Sequence, residues 1–220
     1  KIHMSFFDIL TQLGDSMLHS LYIFLLTLLF SLPLGLGICV VRLYAWKPLQ
    51  WLMKLYISVI RGTPLMLQLL VVYFGPYFVA GMKLSTEYRF WAVIIAFSLN
   101  YAAYFAEIFR SGIQSIPMGQ HEAAFILGYG KFQKFIRIIV PQMFKRVLPA
   151  VTNESITLVK DTSLAFAISY IELFTEASMI AAAETSMLPY LAAAIFYYVF
   201  NLIVAGVMSL LEKRMSYYKI

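Results

Sequence analysis

From Ser16 to Val41 the chain contains no Asp, Glu, Lys or Arg. Such a run exceeds the about 20 apolar residues that a helix needs to cross about 30 Å of hydrocarbon. It does not alternate with period two, so it reads as a helix that satisfies its backbone groups internally and not as a strand. Residues 56–80, 90–109, 147–169 and 189–211 have the same character. Of the 220 residues 61% are hydrophobic and 13% charged, against about 25% charged in soluble domains. So much apolar surface cannot be buried in one water-facing core of this size. The sequence predicts a single-domain, all-α integral membrane protein over 1–220, with transmembrane helices at about 16–41, 56–80, 90–109, 147–169 and 189–211.

The net charge of +6 does not indicate nucleic acid, because the bases sit at the ends of apolar runs and not along a polar face. Arg42, Lys47, Lys54 and Arg61 follow the first run; Arg110, Lys131, Lys134, Arg137, Lys145 and Arg146 follow the third; Lys213, Arg214 and Lys219 follow the fifth. By the positive-inside rule these ends are cytoplasmic, the N-terminus external and the C-terminus cytoplasmic. No cleavable signal peptide is expected, and Lys1-Ile2-His3 ahead of Met4 reads as a tag remnant. The lone Cys39 and the scattered His3, His19 and His121 give no metal site.

Smaller features shape the runs. Pro33, Gly35 and Gly37 suit close helix packing. The amphipathic stretch from Ser5 to Leu13 is expected along the outer interface. Arg61-Gly62-Thr63-Pro64 reads as a helix start with Thr63 as N-cap and Pro64 first in the helix, leaving Trp51 to Ile60 as an interfacial or kinked piece. Glu172, Glu176 and Glu184 are expected to face solvent in an outer loop.

The polar connector at 117–142 contains "GQHEAAFILGYGKFQKFIRIIVPQ". Glu122, Ala123 and Ala124 open a short helix that Gly128 ends, because glycine takes the left-handed conformation at little cost. A basic amphipathic helix with Phe132, Phe135, Ile136 and Ile139 on one face then runs to Pro141. Small side chains at Ala123 and Ala124 suit a helix lying deep in a partner's groove.

Glu122, Ala123, Ala124, Gly128, Ile138, Val140 and Pro141 stand at the spacing of the loop in membrane subunits of ABC importers, which the chain resembles; Val140 replaces the usual Leu. "RGTPLMLQLL" from Arg61, "LNYAAYFAEIFRSGIQSIPMGQHEAA" from Leu99 and "KDTSLAFAI" from Lys160 resemble the polar amino acid uptake type, as in histidine, glutamine, cystine and arginine importers. The resemblance implies a permease of the bacterial plasma membrane. It pairs with an identical or paralogous permease, docks a separate ABC ATPase through Glu122, Ala123, Ala124, Gly128 and Pro141, and receives substrate from an external binding protein. The chain has no Gly-x-x-x-x-Gly-Lys-Ser/Thr loop, so no enzyme activity or cofactor of its own is expected, and ATP and Mg belong to the partner ATPase.

Asn153 to Phe166 carries Glu154, Lys160 and Asp161 inside an apolar run. At about 100° per residue, Glu154 and Asp161 nearly eclipse, Thr157 lies beside them, and Asn153 and Lys160 share the adjacent edge. Charges at bilayer depth cost about 2.5–3.5 kcal/mol each on insertion scales, so such a stripe faces a bundle interior or a wet cavity. Glu154 and Asp161 suit an ammonium or a cationic side chain, and Asn153 or Thr157 a carboxylate. Lys160 also fits helix pairing or snorkelling, with Thr162 and Ser163 bonding back to the helix. Asn100, with Tyr104 and Glu107, offers a second polar face, and Glu107 suits an end-of-helix pair with Arg110. The rival readings are a secondary transporter or channel using the stripe as an ion path, an importer permease for another small solute, and a non-transporting scaffold.

Overall fold

A computed structural model describes residues 5–215, and Lys1-Ile2-His3 and Lys219 lie outside the described residues. Among those residues the chain is all-helical: α1 (Phe6–Tyr44), α2 (Lys47–Gly62), α3 (Leu65–Ala80), α4 (Thr86–Gln114), α5 (Met118–Ile126), α6 (Lys131–Lys134), a π segment (Phe135–Ile139), α7 (Val140–Asp161), a 3-10 segment (Thr162–Ile168), α8 (Leu173–Glu184) and α9 (Leu188–Met215). The helices α1, α4 and α9 are each long and apolar enough to cross a membrane, and counting each of two bent helix pairs as one span brings the candidates up to 5.

On the packed face of α1 small and hydroxyl side chains sit among Leu13, Ile23, Phe24 and Cys39. The stripe of α1 that faces its neighbours carries Ser16, Ser20, Thr27, Ser31 and Gly35, whereas Leu18, Tyr22, Leu25, Leu29 and Leu34 point outward. Small residues let backbones approach where lipid removes the hydrophobic drive to bury large ones. A β-carbon at Gly35 would stand 2.8 Å from Phe105 Cβ and 3.0 Å from the Ala102 carbonyl on α4, so only glycine fits this crossing. At Gly112 a β-carbon would run into Val147 of α7. Gly37 faces open space and has no such role.

Several local expectations change. Ser5 to Leu13 is not an interfacial piece: Ser5 caps α1, and Ile9 and Leu13 are buried against Leu173, Ala177 and Ile180 of α8. Pro33 is accommodated inside α1. The basic helix does not stop at Pro141, because the π segment shifts the hydrogen-bond register just before it and Pro141 enters α7 in its first turn. At the other end of α7, Thr162 Oγ1 donates to the Val159 carbonyl at 2.8 Å and Ser163 Oγ to Lys160 at 2.8 Å. There the helix tightens to 3-10, so one α-helical wheel does not hold through to Phe166.

Glu172 and Glu176 do not face solvent. Glu172 is fully buried as the N-cap of α8 and Glu176 lies in its first turn, while Glu184 is half-buried. Each of the first two finds donors inside the bundle: Gln12 Nε2 donates to Glu176, and Ser20 Oγ and Tyr197 Oη to Glu172. Polar residues in the first half of α1 and in α9 thus use the α8 carboxylates in place of water. The segment after the fourth apolar run is consequently a packed helix.

Candidate functional site

Two places in this frame carry polar groups that folding alone does not absorb. One is a cleft where α3, α4 and α7 meet, and the other is the end of the bundle bearing α5.

The cleft begins at the break between α2 and α3, which turn by 109°. Thr63 is extended, as the residue before proline must be, and Pro64 has no N–H to continue α2. Contrary to the sequence reading, Thr63 does not cap α3: its hydroxyl donates back to the Val59 carbonyl at 2.8 Å, Pro64 occupies the cap position and the helix starts at Leu65. Gln68 Nε2 donates to the Ile60 and Thr63 carbonyls at 2.8 and 3.1 Å, satisfying acceptors that the end of α2 leaves free. Asn100 Nδ2 donates in turn to Gln68 Oε1 at 2.9 Å. The break is therefore tied to α4 by side chains.

This geometry opens a cleft of about 190 Å³ lined by Thr63, Pro64, Leu65, Asn100, Tyr101, Tyr104, Glu154, Thr157 and Asp161. Tyr101 Oη donates to Asp161 Oδ2 at 2.7 Å. Thr157 Oγ1 donates to the Asn153 carbonyl at 3.1 Å, so its own lone pairs remain toward the cleft. Glu154, Thr157, Asp161 and Asn100 thus come together, as the wheel and the second polar face suggest. Asn153 and Lys160 do not line it; they are exposed on the neighbouring edge of α7, rotated off the stripe.

Sequence reasoning missed Tyr101 and Gln68. Nothing in the sequence separates Tyr101 from a core aromatic, but Gln68 stood as a lone polar residue in an apolar run. No group of three or more His, Cys, Asp or Glu capable of holding a metal occurs among the described residues. Chemically, the cleft presents two carboxylates, hydroxyls and an amide with no cation on its lining, which suits a small cationic or zwitterionic guest.

Below the cleft, toward α5, lies a second cavity of about 440 Å³ lined by residues that include Arg61, Glu107, Arg110, Ser115 and Arg146. Arg110 donates to Glu107 Oε2 through Nε at 3.0 Å and Nη2 at 2.7 Å, the end-of-helix pair expected, and Arg42 of α1 joins the same carboxylate. Arg146 Nη1 donates to the Ser115 carbonyl at 2.6 Å, fixing α7 to the segment that leads into α5.

At the α5 end, the helix starts at Met118, one turn ahead of Glu122. It closes on a Schellman motif: Tyr129 N–H donates to the Ala124 carbonyl and Gly128 N–H to Phe125, both at 3.0 Å, with Gly128 at φ 74°. Ala124 packs inward and is fully buried, so it does not offer its face to a partner as the sequence suggested. Glu122 and Ala123 are exposed, and beside them Phe125 and Ile126 are 81% and 83% exposed. These large apolar side chains stand bare on a helix outside the apolar spans.

Comparison with known proteins places this geometry. The family model described as "binding-protein-dependent transport system inner membrane component" matches residues 31–217. The chain belongs to this family. As such an inner membrane component, it is similar to the arginine transport system permease protein ArtQ of Bacillus subtilis (strain 168), 38% identical over 200 residues that cover 90% of this chain and 89% of that one. It is also similar to the L-cystine transport system permease protein TcyB of the same organism, 33% identical over 219 residues covering 99% and 91%. A solved amino acid ABC transporter with histidines superposes with a TM-score of 0.85 at 32% identity, covering 96% of this chain and 99% of that chain. The MetNI methionine ABC transporter, at 15% identity, shares the fold with a TM-score of 0.74 over 94% and 95% of the two chains. The family member is thus a membrane-embedded transport subunit with the ABC permease fold.

Proposed function

We propose that this chain is the permease of an ATP-driven importer of polar amino acids, with the acidic cleft as the seat of the substrate. The observation that carries the reading is the pairing of Glu154 and Asp161 around one cleft between helices, with Tyr101 orienting Asp161. One of the two carboxylates can hold an ammonium and the other a cationic side chain, so arginine, lysine or histidine suits the cleft better than an acidic amino acid. The similar proteins carry arginine and cystine in their names, which supports an amino acid guest.

In this reading the α5 end is cytoplasmic, the N-terminus external and the C-terminus cytoplasmic, which puts Arg42, Arg110, Arg146, Lys213 and Arg214 on the cytoplasmic side. A partner ATPase, holding ATP and Mg, docks on Glu122, Ala123, Phe125 and Ile126, with Gly128 and Pro141 shaping the loop. A second permease, identical or paralogous, completes the pathway, and an external binding protein delivers substrate. Hydrolysis belongs to the ATPase; this chain conducts and couples.

Substrate-stimulated ATPase of the reconstituted complex, compared for arginine, glutamine, glutamate and cystine, tests the substrate. Stimulation is expected to be strongest with arginine, and stimulation by glutamate alone would remove the basic preference. Coupling has its own test in Gly128→Asp. A β-carbon there meets no atom within 4 Å, so the bundle is expected to fold. The substitution strains the left-handed turn by about 1 kcal/mol and sets a charge beside Phe125 and Ile126. ATPase co-purification is expected to drop about 30-fold, the loss at the lower bound of an interface hot spot; normal uptake in this variant contradicts the coupling role.

A further inference from the structure

The acidic cleft and the basic cavity approach each other at one contact. Tyr104 lines the cleft, Arg61 lines the cavity, and the Arg61 guanidinium lies over the Tyr104 ring, 5.1 Å from its centroid. Glu107, three residues below Tyr104 on α4, already belongs to the cavity. Arg61 sits in the last turn of α2, immediately before the break whose far side, Thr63 and Pro64, lines the cleft. It therefore rides on the element that re-aims when the 109° bend changes.

We propose that the Arg61–Tyr104 contact is the inner gate of the permease. With the guanidinium on the ring the cleft is closed toward the cavity, and with it swung off the two become one passage. The inference rests on the importer reading for its direction, cleft to cytoplasm.

Two physical features support it. A cation–π contact made by an exposed arginine is weak enough to open and strong enough to bias an equilibrium, by about 2- to 5-fold. Charge also changes sign across the contact: Glu154 and Asp161 stand on one side, and Arg61, Arg110 and Arg146 with the already paired Glu107 on the other. A guest held by its ammonium in the cleft finds no equivalent hold below the gate. Passage is thus followed by release rather than by a second binding step.

The test uses the whole complex in liposomes preloaded with radiolabelled arginine, glutamine, glutamate and cystine, each followed separately in the absence of ATP. Arg61→Ala and Tyr104→Leu are expected to speed efflux of the carried amino acid about 2- to 5-fold over the unsubstituted complex. Tyr104→Phe keeps the ring and is expected to leak less than Tyr104→Leu, and melting temperatures matched to the unsubstituted complex show that the variants remain folded. Efflux from Arg61→Ala and Tyr104→Leu at the unsubstituted rate overturns the gate, as does a Tyr104→Phe complex that leaks like Tyr104→Leu. ATP-driven uptake of none of the four by the unsubstituted complex removes the amino acid reading instead, and the leak comparison still decides the gate.

Discussion

Glu172→Ala is expected to destabilise the protein by about 3–5 kcal/mol, the largest loss from any single substitution considered. The carboxylate is fully buried and accepts from five donors: Ser20 Oγ of α1 at 3.2 Å, Tyr197 Oη of α9 at 3.0 Å, the Phe174 and Thr175 N–H groups at 2.9 and 2.8 Å, and Thr175 Oγ1 at 2.9 Å. Removing it strips the N-cap from α8, worth about 1 kcal/mol. It also takes the charged acceptor away from two hydroxyls of other helices, bonds that contribute about 1.5–3 kcal/mol each. A thermal melt of the purified protein in detergent is expected to fall by roughly 10 °C, at about 2–4 °C per kcal/mol for a chain of this size. Glu172→Gln keeps one carbonyl acceptor and is expected to fall between the two. A melt for Glu172→Ala within about 2 °C of the unsubstituted protein, less than 1 kcal/mol on that scale, contradicts the role of this carboxylate as the tie between α1, α8 and α9.

That tie shows where sequence reasoning loses sight of a membrane fold. The apolar runs announce α1, α4 and α9 because length and hydropathy suffice to identify a spanning helix. They do not reveal whether an acidic residue beyond a run meets water or a buried hydroxyl. Glu172 has the composition of a loop and the environment of a core, and only the positions of Ser20 and Tyr197 separate the two. The same limit explains Pro141: proline reads as a stop, and the π segment that carries the chain past it leaves no compositional mark. Gly35 was easier in kind, since small residues in apolar runs point to close packing, although which helix it meets is a tertiary fact, Gly37 in the same run meets nothing, and Gly112 lies beyond the runs.

The candidate site was legible to the extent that helical periodicity governs it. Glu154, Thr157 and Asp161 share a face at any ideal twist, and they share the cleft. Asn153 and Lys160 lie one residue ahead of Glu154 and Asp161, about 100° round the helix, and that rotation turns them out. Asn100 is in the cleft, but its amide nitrogen is committed to Gln68, making it a brace of the α2–α3 break as much as a contact for a guest. Tyr101 and Tyr104, three residues apart on α4, neighbour each other by helical spacing, but Arg61 of α2 reaches Tyr104 only through the tertiary fold, and no local pattern encodes that meeting.

Neutralising both cleft carboxylates is expected to abolish coupled transport while leaving the protein folded. Glu154→Gln and Asp161→Asn preserve shape, the amide oxygen introduced by Asp161→Asn can still accept the Tyr101 hydroxyl, and both native side chains are only half-buried, so little stability is at stake. What changes is the attraction for a positive guest. Charge-assisted hydrogen bonds contribute about 1.5–3 kcal/mol each, so loss of both corresponds to at least about 100-fold in uptake efficiency. A carboxylate that served only to glue helices would instead reveal itself in stability. The decisive measurement is ATP-driven arginine uptake by liposomes carrying the complete complex, with the Glu154→Gln/Asp161→Asn variant set against the unsubstituted chain at matched protein content and matched melting temperature. The account predicts uptake reduced at least about 100-fold with the melt unchanged; uptake at the unsubstituted level shows that the acidic cleft is not where the substrate sits.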